Sequence, residues 1–479
     1  MDYVLGYDLG TSYFKAAVVR RDGTVCGVGR VRTPKVTEGA VVTIPPGEFW
    51  NGLSECTAIA LGKAGVSAAE IAGVSYGSQA NSFILLDEYM KPLTDIVVWS
   101  TVYTDEVDPR LAALWGHQDY SQITGQGYTG TGFALAKLLY LEEQDPEMWS
   151  RVRHFMSISD YFIYGITGTA VTDAGTSALL GCLDVRKIQF WERGLDILGL
   201  SPDLFSPVLP MGEVCGYTAS GAEGAVGLPK GIPLFAGGLD HVVAAVGAGL
   251  GSVADVSEST GTVLAALAVQ KRYTPADTGG SDIPVSIGPA IGSGHFSYLA
   301  FRDPGAQVIE DYHSRHFPDI TIDEMLALVR ETVPGSSGLR YSDAALGSSL
   351  EERFFSRQGA ETHTRADHVR AITEHIAYQI LKLSRRVSGS GEVRRVVATG
   401  GANRSMDLLQ VKADMFFAEM VACREKELGT FGAAMIAARG CRWFGEIPEV
   451  QEAWVAVEQR VQPEYRQHLL YKEWLHNRD

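Results

Sequence analysis

Gly237-Gly238-Leu239-Asp240-His241-Val242-Val243-Ala244-Ala245-Val246-Gly247-Ala248-Gly249 stands at the midpoint of a chain of 479 residues. It couples a carboxylate to an apolar helix of small residues. The run Ile232–Ala236 before it reads as a strand, and the two glycines permit a sharp turn at its end. Asp240 then falls at the helix N-terminus, as an N-cap, where free N–H groups and the helix dipole favour its ionised form. A carboxylate so placed either caps the helix or carries chemistry. The two readings are compatible, because a general base needs the same ionised state.

Hydrophobic residues make up 46% of the chain and charged residues 20%, a balance that supplies ample core for a globular protein of two or three domains. No run of 18 apolar residues occurs and the first residues lack a basic-then-apolar signal pattern, so a cytoplasmic protein is expected. A net charge of −16 argues against nucleic acid and against an anionic membrane as partners. An acidic chain that handles a nucleotide must use local devices: loop amides, helix N-termini and a metal ion. Cys26, Cys56, Cys182, Cys215, Cys423 and Cys441 contain no C-x-x-C pair, so reduced structural thiols are expected. His313 and His316 read as part of a surface helix rather than as metal ligands.

Working towards the N-terminus, Tyr3-Val-Leu-Gly-Tyr-Asp8 reads as a buried strand and Phe14–Val19 as a second. Between them, Asp8-Leu9-Gly10-Thr11-Ser12 fits a polar hairpin turn. It also fits a phosphate turn, with glycine allowing close approach, hydroxyl donors, and an aspartate suited to hydrated magnesium. Arg21-Asp22-Gly23-Thr24 makes a further hairpin. Pro45–Glu48 opens a helix running to about Gly65. Ile71–Tyr76 is a strand followed by the polar loop Gly77-Ser78-Gln79-Ala80-Asn81-Ser82, and loops at strand ends are where small-molecule sites form in α/β folds. Val97-Val98-Trp99 repeats that arrangement. Phe133–Glu143 reads as a helix with Lys137 outward, and Thr172–Ser177 as a polar loop.

Towards the C-terminus the organisation restarts. Ala254–Glu258 and Val263–Val269 read as strands around the turn Ser259-Thr260-Gly261-Thr262, a second edition of the first hairpin. Two halves that each begin so predict a duplicated α/β domain with a cleft between the copies. Residues 334–365 lack periodicity. Arg365–Val387 is a long amphipathic helix with Val369, Ile372, Ile376, Ile380 and Leu383 on one face. Val396–Ala398 is a strand, followed by Gly400-Gly401-Ala402-Asn403 and a helix through Leu408 and Met415, a geometry suited to nucleotide contact. Leu428–Ala434 opens a last helix of small residues.

In order and spacing these stretches resemble the FGGY carbohydrate kinase family, whose fold is a pair of actin-like (ribonuclease H-like) ATPase domains, α/β, with an interdomain active-site cleft. The resemblance rests on Asp8–Ser12, Ser159-Asp160-Tyr161 with Ile166-Thr167-Gly168, Gly238-Leu239-Asp240, Ser259–Thr262, Gly400–Asn403, Gln410 with Ala413-Asp414, and Gly432-Ala433-Ala434. It implies an N-terminal domain over 1–248 with the sugar site and a C-terminal domain over 249–479 with the nucleotide site. The expected reaction is transfer of a phosphoryl group from ATP to a hydroxyl of a sugar, ketose or polyol. The resemblance further implies that Asp240 is the catalytic base and touches substrate, and that Asp8 holds Mg2+. Gly10, Thr11, Ser12, Gly261 and Thr262 would contact phosphates, and Gly400, Gly401, Ala402 and Asn403 would line the adenosine site. A homodimer is a family-level expectation.

The chain departs from the ketose kinases of the family where the sugar is usually held. Gln79-Ala80-Asn81-Ser82 replaces Gln-Met-His-Gly, and Trp99-Ser100-Thr101-Val102-Tyr103 replaces Trp-x-Asp-x-Arg. A missing hydrogen-bond partner changes substrate discrimination strongly. Gln79, Asn81, Thr101 and Tyr103 are therefore the candidates for an altered sugar pocket. The alternatives are a kinase of a sugar acid or tetrose alcohol, or a non-catalytic nucleotide-binding regulator derived from a kinase.

Overall fold

The strand Tyr3–Leu9 is apolar at nearly every position because both of its faces are covered. It pairs antiparallel with Tyr13–Arg20 and parallel with Ile71–Ser78, and its Val4, Leu5, Tyr7 and Leu9 are fully buried. The computed structural model describes residues 1–261, 263–275, 283–292, 294–343, 349–356, 363–389, 391–401 and 405–476. Thr262, Ala402, Asn403 and part of the aperiodic 334–365 stretch lie outside these residues. The chain forms two compact units. One holds Met1–Gly249, Val269–Tyr298 and Glu425–Val455; the other holds Leu250–Ala268, Leu299–Arg424 and Ala456–Asp479.

In the first unit the sheet order is Val214–Tyr217, Pro233–Phe235, Ile71–Ser78, Tyr3–Leu9, Tyr13–Arg20, Val25–Arg32. A second sheet runs Val457–Val461, Glu419–Cys423, Arg395–Thr399, Val256–Thr260, Leu264–Gln270, Phe296–Arg302, Ser286–Pro289. The first six strands of the second sheet match the first sheet place for place, and Ser286–Pro289 is an addition at its end. In each, a hairpin sits beside a parallel strand, then a second parallel strand, then an antiparallel edge. The repeat expected from two similar hairpins is thus present in the strand order.

The first unit adds a smaller sheet, Val36–Glu38, Val41–Ile44, Ile96–Val97, Phe83–Leu86, His154–Ser157, whose strand ends carry the Gln79–Ser82 and Trp99 loops. Helix Pro46–Ala64 closes with Gly65 in the left-handed region. Its backbone lies directly on the Val25–Arg32 strand, since a Cβ on Gly29 would fall 1.8 Å from the carbonyl oxygen of Cys56. Two local expectations are corrected. Thr172–Ser177 is not a loop but a short strand, Thr172–Asp173, running into the helix Ala174–Ala178, which Asp173 caps through the Thr176 N–H. Lys137 is not outward: it is 1% exposed, because helix Ala134–Gln144 is covered on both sides over its first six residues. The six cysteines are all free thiols. Among the described residues, no helix is long and apolar enough to cross a membrane.

Candidate active site

Asp240 is the first residue of the helix Asp240–Gly247, and Leu239 occupies the N-cap position without a side-chain cap bond. The expected N-cap aspartate is therefore displaced by one residue. Its Oδ1 accepts the N–H of His241 at 2.7 Å, so one orphan donor of the helix end still orients the carboxylate. The glycines before it serve a different purpose from the turn expected of them, and neither has a positive φ. Gly238-Leu239 pairs in parallel with Gly77-Ser78, and a Cβ on Gly237 would lie 1.7 Å from the carbonyl oxygen of Tyr76. They are small because the segment runs against the neighbouring strand.

The helix is fixed from the other side by Leu428–Gly440. A Cβ on Gly432 would fall 1.9 Å from Val243 O, and one on Gly247 would fall 2.3 Å from Leu428 O. Two backbones at this distance admit no side chain between them, which explains the small-residue run after Leu428. The same helix start delivers Glu427 and Gly429 to the first hairpin. Glu427 Oε2 accepts from Lys15 Nζ at 2.6 Å, and Lys15 stands 3.6 Å from Asp8 Oδ2. Burial pushes the Asp8 carboxyl up to about 6; Lys15 pulls it down, while the charges of Asp240 and Glu427 push it up further. Asp8 and Asp240 thus present two carboxylates within electrostatic reach of each other.

That donor set fits magnesium. Mg2+ is ordinarily held by one or two carboxylates, with water and substrate phosphate completing its octahedron. Asp8 is eased only by a lysine at 3.6 Å that is already engaged by Glu427, so a hard cation would relieve its repulsion with Asp240. Among the described residues, no cluster of three or more His, Cys, Asp or Glu forms a self-contained metal cage.

The loops at the strand ends form a closed ring of hydrogen bonds. Trp99 Nε1 donates to Thr11 Oγ1 at 2.7 Å, and Thr11 donates to Gln79 Oε1 at 3.2 Å. Ser82 Oγ donates to the same Gln79 oxygen at 3.0 Å and accepts from the Trp99 N–H at 2.9 Å. Gln79 is 2% exposed, and its amide nitrogen has no protein partner, an orphan donor suited to a ligand oxygen. The Thr11 hydroxyl is committed in both directions, leaving its backbone, Gly10 and the exposed Ser12 to meet a phosphate. Asn81, at φ 60, turns its Oδ1 to the N–H of Ala134 at 3.0 Å and so caps that helix from a distance.

Thr101 and Tyr103 are differently employed. Thr101 is fully buried and bridges the N–H and carbonyl of Val42 at 2.9 and 2.7 Å. Tyr103 stacks on Tyr140, ring centres 5.0 Å apart, and lines a shallow cavity of about 310 Å³ with Val36, Thr43 and Asp95. Sequence reasoning missed Lys15, Glu427 and Lys137. Lys137 carries the one legible signal, a lysine inside the apolar run Ala134–Leu139; it donates to the carbonyls of Val98 and Trp99.

In the second unit, Gly400 has φ +89 and sits on the backbone of Thr260, where a Cβ would come 2.7 Å from its carbonyl oxygen. Gly401 is exposed and open. Gly261 is anchored through its carbonyl by the Ala306 N–H at 2.8 Å.

Two sheets that repeat one order of hairpin, parallel strands and antiparallel edge are the layout of the actin-like ATPase fold. The family models agree: FGGY family of carbohydrate kinases, N-terminal domain, matches residues 3–247, and the C-terminal domain matches 335–441. The chain belongs to the FGGY family of carbohydrate kinases, and it is an ATP-dependent sugar kinase. The xylulose kinase of Bacillus subtilis (strain 168) is 26% identical over 95% of this chain and 91% of that protein. The L-xylulose/3-keto-L-gulonate kinase of Escherichia coli (strain K12) is 24% identical over 98% and 94%. A crystal structure of ligand-bound xylulose kinase from Lactobacillus acidophilus superposes with TM-score 0.85 at 18% identity, covering 100% of this chain and 98% of that one.

Proposed function

We propose that this kinase phosphorylates a hydroxyl of a pentulose such as xylulose or ribulose, with Asp240 as general base. The observation that carries the reading is the helix-start carboxylate itself. His241 N–H holds one oxygen at 2.7 Å, and the glycine contact with Leu428–Gly440 fixes the helix beneath it. The substrate oxygen forms a bond to the γ-phosphorus of ATP while the bond to the ADP oxygen breaks, and the hydroxyl proton passes to Asp240. Phosphoryl transfer asks chiefly for alignment and charge neutralisation, so a fixed carboxylate suffices as the base. Magnesium, when bound, would neutralise phosphate charge, with Asp8 as its holder. Gly10 and Ser12, with the Thr11 backbone, would meet phosphate, as would Gly261 and Thr262. Gly400, Gly401, Ala402 and Asn403 would meet the adenosine part.

Pentulose is favoured by the xylulose kinases among the relatives. Gln79 supports an oxygen-rich substrate, since its buried amide nitrogen offers a donor without a protein partner. A second reading, a sugar acid or tetrose alcohol, is favoured by the absence of His, Asp and Arg from the Gln79–Ser82 and Trp99–Tyr103 loops. The test is acceptor-dependent ADP release from purified protein across pentuloses, polyols, aldoses and sugar acids. The pentulose reading expects xylulose or ribulose to give the highest kcat/KM. A sugar acid or tetrose alcohol in that place overturns the substrate; full turnover in Asp240→Asn overturns the base.

A further inference from the structure

Outside the groups assigned above, Glu258, Thr260 and Lys412 are fully buried polar side chains of the second unit that meet one another. They form a closed triangle. Lys412 Nζ donates to Glu258 Oε1 at 2.7 Å and to Thr260 Oγ1 at 2.6 Å, and Thr260 Oγ1 donates to Glu258 Oε2 at 2.8 Å. Glu258 lies on the middle strand Val256–Thr260, opposite Ala266 on one side and Ala398 on the other. Lys412 reaches it from the helix Met406–Phe416, which follows the Gly400-Gly401 turn.

The energetics make this an unusual investment. Desolvating two charges costs several kcal/mol per ion, and apolar replacement of such a pair is often neutral or stabilising. Burial pulls the Lys412 ammonium down, and Glu258 holds it back up. What the triangle secures is geometric. Thr260 is the last residue of its strand and begins the turn through Gly261, and Gly400 rests on the Thr260 backbone. With its hydroxyl held by the ion pair and the Gly261 carbonyl held by Ala306, the turn is fixed at two successive residues.

We infer that Glu258 and Lys412 are positioning residues for nucleotide: they hold Thr260 so that Gly261 and the 400–401 turn keep one arrangement towards nucleotide. This rests on the proposed nucleotide role of those turns. It assigns to Thr260 an anchoring task, not a phosphate contact, for its hydroxyl proton goes to Glu258 and its oxygen already accepts from Lys412.

The test is ADP binding by titration calorimetry on the full chain, with melting curves alongside. Thr260→Val keeps the ion pair; Glu258→Leu/Lys412→Met replaces the pair by apolar groups. Both are expected to melt near the wild type, to weaken ADP binding at least fivefold, and to leave sugar KM within twofold. Wild-type ADP affinity in the double variant overturns the proposal and leaves the pair a purely structural one. Should the double variant fail to fold, Thr260→Val decides alone, and wild-type affinity there overturns it. Failure of the wild type to bind ADP would instead overturn the nucleotide reading beneath the proposal.

Discussion

Lys137 in the first unit and Lys412 in the second are both buried lysines on helices, and each holds a polypeptide segment next to a proposed substrate site. Lys412 is compensated by a carboxylate at 2.7 Å. Lys137 donates only to the carbonyl oxygens of Val98 and Trp99, with no carboxylate at ion-pair distance among the described residues. Burial accordingly pulls the Lys137 ammonium down to about 7. Backbone dipoles satisfy hydrogen bonding without balancing a full charge, so Lys137 can shed its proton and keep its place. In the triangle around Lys412, loss of either partner strands a charge.

The largest expected effect follows from that difference. Lys412→Met alone leaves the Glu258 carboxylate buried and uncompensated, and should cost about 3–5 kcal/mol of stability in denaturant unfolding. The Glu258→Leu/Lys412→Met variant should recover most of it. A single variant as stable as the wild type would break the contrast. Lys137→Met leaves two carbonyls short of a donor and strands no charge, so a loss of about 1–3 kcal/mol is expected. Its kinetic effect should appear in sugar KM, through the loosened Trp99 loop, with ATP KM unchanged.

The pH dependence sharpens the comparison further. Between about 7 and the unfolded value of 10.5, the unfolded chain carries the Lys137 proton that the folded chain has released. Stability therefore rises with pH across that window. Below about 7 both states are protonated and this contribution to the slope vanishes. Lys137→Met should flatten the rise by the equivalent of one proton, checked by unfolding at pH 6, 8 and 10. The smallest effect belongs to the pair Arg394–Glu392, with side chains 77% and 75% exposed. Glu392→Gln should change stability by less than about 0.5 kcal/mol, because solvent screens such pairs.

Much of the fold was legible because its signals are local. Periodicity in Arg365–Ser388 marks its helix, and the two apolar strand pairs with glycine-containing turns announced the duplicated hairpin. Asp8 and Asp240 were legible as candidates because each ends an apolar strand region beside glycine. Their surroundings were not. Lys15 and Glu427 are 412 residues apart in sequence yet hydrogen-bonded, and no local pattern encodes such a meeting. Asn81, Thr101 and Tyr103 read equally well as pocket or scaffold, and their partners, Ala134, Val42 and Tyr140, lie too far along the chain for any local pattern to name them. Lys137 was misread because helical spacing gives the direction of a side chain but not whether a second layer covers it.

By itself the sequence determined the family, the strand and helix succession, and a carboxylate at the start of the helix Asp240–Gly247. These depend on residue type and short-range periodicity, which survive without knowledge of packing. Only the tertiary structure decided what Gly237 and Gly432 are for, where the Thr11 and Thr260 hydroxyls are spent, and which buried lysine has a counter-ion. Those depend on atoms brought together by chain segments far apart in sequence, where a tenth of a nanometre separates a partner from a clash.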